Sequence, residues 1–101
     1  MAAQVRKVVK QEIKQFIDDQ GRNYSDWYVG IAANPRDRLF NGHCVDKDRD
    51  TWIYRECMSC DAARDVEAYF TNAVGTCGGP GGGDNSTCYV YAYIIKPHTT
   101  E

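Results

Sequence analysis

Near the N-terminus, apolar residues recur at helical spacing: Val5, Val8, Val9, Ile13, Phe16 and Ile17. Residues three and four apart share one face of a helix, so residues 4 to 20 are predicted to form an amphipathic helix stopped by Gly21. Its other face carries Arg6, Lys7, Lys10 and Lys14 against Glu12, Asp18 and Asp19, and reads as a solvated face. Trp27 to Ala32 is short, aromatic and β-branched, which predicts a strand. Asn34 then offers an N-cap and Pro35 a first helical position for a short helix that holds Arg36 to Phe40 and ends at Gly42. Residues 46 to 50, all charged, make a polar loop, and Thr51 to Glu56 a second strand. Ser59 or Asp61 caps a helix running to about Val74, with Ala63, Val66, Phe70, Ala73 and Val74 along one stripe. At about 100° per residue, Glu67 falls at the edge of that stripe, where a carboxylate can face a cleft beside the core. A glycine-rich loop follows over residues 75 to 84, then a strand from Cys88 to Ile95 that Pro97 ends. The order α-β-α-β-α-loop-β predicts one α+β domain over residues 1 to 101. It has a small, mainly antiparallel sheet of about three strands flanked by helices.

A chain of 101 residues can bury a single modest core. It has no run of about 18 apolar residues, so no membrane partner is expected. The net charge of −2 and pI near 5.6 count against a protein that coats long duplex DNA, while leaving room for a small basic cleft. The opening MAAQVRKVVKQEIKQ has no apolar signal core, which leads to the expectation of a cytoplasmic protein. In that compartment the sequons at Asn23 and Asn85 carry no meaning. The five cysteines, an odd number, are expected as free thiols.

Several patterns fall short of a motif. Asp46, Asp48 and Asp50 imitate the opening of a calcium loop, but its sixth and twelfth positions are Thr51 and Cys57 instead of Gly and Glu. The glycine-rich loop meets Asp84 where a phosphate-binding loop has Lys, and a helix precedes it where a dinucleotide fingerprint has a strand. It reads as a flexible connection or as backbone that can approach a ligand. Cys57-Met58-Ser59-Cys60 is a CxxC at a strand-to-helix junction without the surroundings of a redox motif. Zinc would need His43, Cys44, Cys77 or Cys88 to complete a set that lacks the usual spacing. Neither a disulfide nor zinc is expected.

One constellation does carry chemistry. Tyr28-Val29-Gly30 is followed, ten residues after the tyrosine, by Arg38, and later by the lone acid Glu67. A tyrosine, an arginine and one carboxylate are the parts needed to cut a phosphodiester with a single metal ion. The competing reading makes Tyr28 and Tyr91 half-buried sheet residues, Arg38 a surface charge, and Glu67 a partner for Arg64 or Lys96.

The segments Trp27-Tyr28-Val29-Gly30-Ile31-Ala32 and Asn34-Pro35-Arg36-Asp37-Arg38-Leu39, with His43 nearby, resemble the second half of a GIY-YIG nuclease signature. Thr51 to Glu56 is similar to that family's following strand, and Ala62 to Glu67 to its next helix, where alanine precedes the metal-binding glutamate. The likeness covers residues 27 to 70. It implies that Glu67 holds one Mg²⁺ or Mn²⁺, that Tyr28 takes a proton from the attacking water, and that Arg38 stabilises charge on the phosphate. His43 stands five residues after Arg38, where many members place a histidine at four. The strand that should carry the GIY tyrosine is missing upstream, where Ile17 and Asp18 end a helix. Tyr89 to Ile95 looks like that strand, implying a rewired or circularly permuted arrangement with Tyr91 as the second tyrosine. Tyr91 and Tyr28 should then lie on adjacent strands and one face. Asn85 is the counterpart of the family's late asparagine and, with Arg36, a candidate for substrate binding. The function implied is metal-dependent hydrolysis of nucleic acid. The alternative is a non-catalytic module that binds a nucleotide-like ligand, a nucleic acid end or a protein.

Overall fold

The computed structural model describes residues 4–78 and 89–100. Helix α1 (Arg6–Asp19) leads through a short 3₁₀ turn to strand β1 (Trp27–Ala32). Helix α2 (Pro35–Asp37), strand β2 (Trp52–Glu56), helix α3 (Cys60–Ala68) and strand β3 (Tyr89–Ile94) follow. The last strand in sequence is central in space: the order is β1-β3-β2, with both pairings antiparallel. The fold is α+β on a three-stranded antiparallel sheet, as the pattern predicts.

Side chains alternate across a strand, so each strand feeds two layers. Trp27, Val29 and Ile31 of β1, Ile53 of β2, and Val90, Ala92 and Ile94 of β3 turn to one face. There they pack with Val9, Ile13 and Ile17 of α1, Ala63 and Val66 of α3, and Phe70 in the turn that follows α3. The other face is aromatic: Tyr91 and Tyr93, with Tyr28, Trp52 and Tyr54, pack against Ala32, Leu39, Phe40 and Val45. The helices α1 and α3 thus cover one side. The other side is only partly covered, by α2 and the turn after it, and Tyr28, Arg38, His43 and Tyr91 lie there.

Local chemistry explains the helix starts. Asn34 Oδ1 accepts the amide of Asp37 at 3.1 Å, with Pro35 at the first helical position. Ser59, not Asp61, caps α3, its Oγ accepting the amide of Ala62 at 3.0 Å. Helix α1 has no side-chain cap, and Val5, predicted in the apolar stripe, stands in the capping position and stays half exposed. Two helices end in wider π-helical turns, Arg38–Gly42 and Tyr69–Val74. In each an amide bonds five residues back: His43 N to Arg38 O at 2.7 Å, and Gly75 N to Phe70 O at 2.8 Å. The wider turn displaces the predicted apolar stripe, leaving Ala73 exposed. Gly75 then closes the turn at φ +101°, a conformation glycine adopts without strain.

The loop aspartates serve the loop itself. Asp46 Oδ1 accepts the amides of Asp48 and Arg49, and Asp50 Oδ2 accepts that of Asp46 at 2.7 Å and lies 2.6 Å from His98 Nε2. Among the described residues no helix is long and apolar enough to cross a membrane.

The expectation of free thiols throughout is corrected. Cys60 is disulfide-bonded, while Cys44, Cys57 and Cys77 are free, so its partner lies outside the described residues. The expectation rested on compartment and an odd cysteine count. Neither governs which side chains meet, and five cysteines accommodate one bridge with three left over. A disulfide is at odds with the reducing cytoplasm expected from the sequence. Nor do Cys57 and Cys60 act as a redox pair, since burial pushes the Cys57 thiol up to about 11, away from thiolate reactivity. Denatured protein alkylated without reductant should take up three alkyl groups, and five after reduction. Uptake of five without reductant would show that the bridge does not form.

Candidate active site

The strand register brings the tyrosines together. Tyr28 pairs with Tyr93 and Gly30 with Tyr91. Cross-strand partners share a face, so Tyr28, Tyr91 and Tyr93 project to the same side of adjacent strands, as the permuted reading requires. Their rings stack, Tyr28 with Tyr93 at 5.3 Å and with Tyr91 at 6.3 Å between centroids. Gly30 makes this geometry available. A Cβ there would stand 2.6 Å from Tyr91 Oη and 2.7 Å from its Cζ. The phenol lies directly over the strand backbone, in space that any side chain would occupy. Gly30→Ala is therefore expected to destabilise the fold by about 1–3 kcal/mol through overpacking and to displace Tyr91. Chemical denaturation measures the first effect, and the ultraviolet titration of the tyrosines reports the second. A variant with unchanged stability and unchanged tyrosine titration would contradict this role.

His43 follows the wide turn after α2 and is buried. Its Nδ1 lies 2.6 Å from the carbonyl oxygen of Thr100 and its Nε2 2.7 Å from Tyr91 Oη. A carbonyl only accepts, so Nδ1 carries the hydrogen and donates it to Thr100. In the neutral ring Nε2 is then the acceptor for the Tyr91 hydroxyl. The amide of Thr100 also donates to His43 O at 2.8 Å, so the C-terminal segment grips the histidine twice. Tyr28 packs beside the same ring at 4.8 Å.

Arg38 is exposed, and its guanidinium lies near enough to Tyr91 to favour the charged phenolate. Burial pushes the Tyr91 phenol up to about 12, with a further rise from Tyr28 and Glu67 that the Arg38 contact opposes. Tyr91 is accordingly a neutral hydrogen-bond donor at physiological pH, aimed at His43 with the charge of Arg38 nearby. Tyr28, Arg38, Gly42 and His43 line a cleft of about 240 Å³.

Glu67 is half-buried on α3, and its charge is near enough to raise Tyr91. Its Oε2 is buried with no hydrogen-bonding partner among the described residues, and burial raises the carboxyl above its ordinary value. Arg64, weighed as its partner, pairs with Asp61 at 3.3 Å. A buried carboxylate oxygen without a donor is costly unless something satisfies it. Glu67 thus fits a one-carboxylate anchor for a hard divalent cation whose other ligands are water and phosphate.

Not every predicted residue joins this group. Arg36 stands over the ring of Phe40 at 5.6 Å and does not line the cleft with Tyr28. Asn85 lies outside the described residues. Two participants were not foreseen. Tyr93 was signalled by its period-two relation to Tyr91 on the same strand, whereas no local pattern marks Thr100, which arrives by the path of the tail. No protein-family model, characterised protein or solved structure matches this chain.

Proposed function

We propose that this cleft hydrolyses phosphodiesters of nucleic acid with the help of one Mg²⁺ or Mn²⁺, in a permuted arrangement resembling GIY-YIG nucleases. The observation that carries the reading is the convergence of Tyr28, Arg38, His43 and Tyr91 on one side of the sheet, with an unpartnered Glu67 oxygen close by. Arg38, exposed at the mouth, binds and orients the phosphate through paired N–H donors. Tyr91 stays protonated and fixes the Arg38 and His43 side chains relative to each other. Tyr28, as its phenolate, would accept a proton from the attacking water beside the His43 ring and become the neutral phenol. Glu67 would hold the cation, whose chemistry there would be to polarise the phosphate and stabilise the departing oxygen.

The second reading is a non-catalytic module that binds a nucleotide-like ligand, a nucleic acid end or a protein. It draws support from Tyr91 being kept neutral and engaged with Arg38, and from a net charge of −2. Labelled single-stranded, duplex and branched DNA and RNA, incubated with and without Mg²⁺ or Mn²⁺, separate the two. Metal-dependent cleavage of any of them supports the hydrolase. Tight binding without cleavage of any supports the module.

A further inference from the structure

We infer that the aromatic row Trp52, Tyr54 and Tyr89, bordered by Arg36, stacks unpaired bases, which makes single-stranded nucleic acid the substrate class of the neighbouring cleft. The inference rests on the hydrolytic reading above for the word substrate, but its binding claim stands on separate residues.

Trp52 and Tyr54 alternate along β2 and face the same side as the tyrosine cluster, in register with Tyr93 and Tyr91 of the central strand. Strand β2 is at the sheet edge, and α2 covers only part of this face. Trp52, Tyr54 and Tyr89 are therefore only half-buried. Their arrangement is ordered. The Trp52 and Tyr54 rings lie 7° from parallel at 5.9 Å, and Tyr89 stands edge-on to Tyr54 at 6.0 Å. The indole is fixed by its Nε1–H, which donates to Lys47 O at 3.0 Å, and by Phe40 edge-on at 5.0 Å. Rings held in place lose little freedom when a base stacks on them.

The row leads to the candidate active site. Tyr54 and Tyr89 line a cleft of about 260 Å³ with Ala33, Asn34, Pro35 and Arg36. A second cleft shares Ala33 and Asn34 and reaches Arg38, which also lines the cleft of Tyr28 and His43. Exposed Arg36 and Arg38 have no ion pair among the described residues, so both charges are available to phosphates along this path. Glu56, facing the same way beside Tyr89, marks the end of the row. A duplex keeps its bases stacked on one another and binds chiefly through extended cationic surface, whereas the cations along this path are Arg36 and Arg38. Exposed ring faces reward bases that are already unstacked.

Tryptophan fluorescence tests this directly, because Trp27 is fully buried and Trp52 is the half-exposed reporter. The probe is a thymidine dodecamer, titrated in EDTA so that binding is read without cleavage, against a duplex of the same length. Saturable quenching by the single strand is expected, with the duplex about tenfold weaker or worse. Tyr54→Ala and Tyr89→Ala should each weaken single-strand binding by about tenfold. Tyr54→Phe, which keeps the ring, should bind as the wild type does. Equal binding of duplex and single strand, alanine variants that bind like the wild type, or absence of binding by both quenching and anisotropy would each overturn the inference. Ring-dependent binding without any metal-dependent cleavage upholds it and sinks the hydrolytic reading alone.

Discussion

Arg38→Ala is expected to slow metal-dependent cleavage by roughly 10²–10³-fold, the usual cost of removing one donor aimed at developing charge. Folding stability should stay within about 0.5 kcal/mol of the wild type, because the side chain is exposed. The buried Tyr91 hydroxyl keeps its His43 acceptor at 2.7 Å when the guanidinium is gone. Arg38→Lys should recover little, since an ammonium cannot give the planar pair of donors that a phosphate takes from arginine. A second readout is independent of catalysis. The Arg38 contact opposes the burial that pushes Tyr91 up to about 12, so its removal should move the Tyr91 titration higher still. Ultraviolet absorbance against pH measures that shift. A variant with full activity and an unmoved Tyr91 titration would show Arg38 to be an ordinary surface charge.

Glu67→Gln should lose activity by about 10³-fold or more, because a lone carboxylate anchor supplies several kcal/mol of transition-state stabilisation through the ion it holds. The same substitution should stabilise the metal-free protein at neutral pH. Burial raises the Glu67 carboxyl, so the folded state disfavours its charged form. A carboxyl raised on folding favours the native state fully below its unfolded value of about 4.3. It loses that contribution as pH climbs through the folded value. At pH 7 the wild type therefore carries a cost that glutamine lacks, and the Tm advantage of the variant should shrink toward pH 4. Mn²⁺ should raise the wild-type Tm and leave that of the variant unmoved. Equal Mn²⁺ responses in the two proteins would remove Glu67 as the anchor.

Much of this arrangement is legible from local pattern. The period of 3.6 in Val9, Ile13 and Ile17 gives α1, and Asn34-Pro35 and Ser59 give the starts of α2 and α3. Alternation in Tyr89 to Ile94 gives β3. The features that escape local reading are those set by distant partners. The wide turn at Arg38 to Gly42, which delivers His43, has no sequence signal, because it arises where a helix end must meet a sheet face. Thr100 reaches His43 only because the tail folds back across 57 positions. The bridge at Cys60 escapes an argument from compartment, which says nothing about proximity. The aromatic residues of β2 read as ordinary strand formers. Their half-exposed row follows from β2 lying at the edge of the sheet, and strand order is not written in any one strand.

Whether Tyr28, Arg38 and Glu67 form one metal-dependent hydrolytic centre is decided by a paired single-turnover assay. Wild type and Glu67→Ala, prepared identically, are incubated in excess over an end-labelled single strand with Mn²⁺. The expected result is cleavage by the wild type that EDTA abolishes, and none by the variant on the same time scale. Equal cleavage by both proteins, or no cleavage by either, would contradict it.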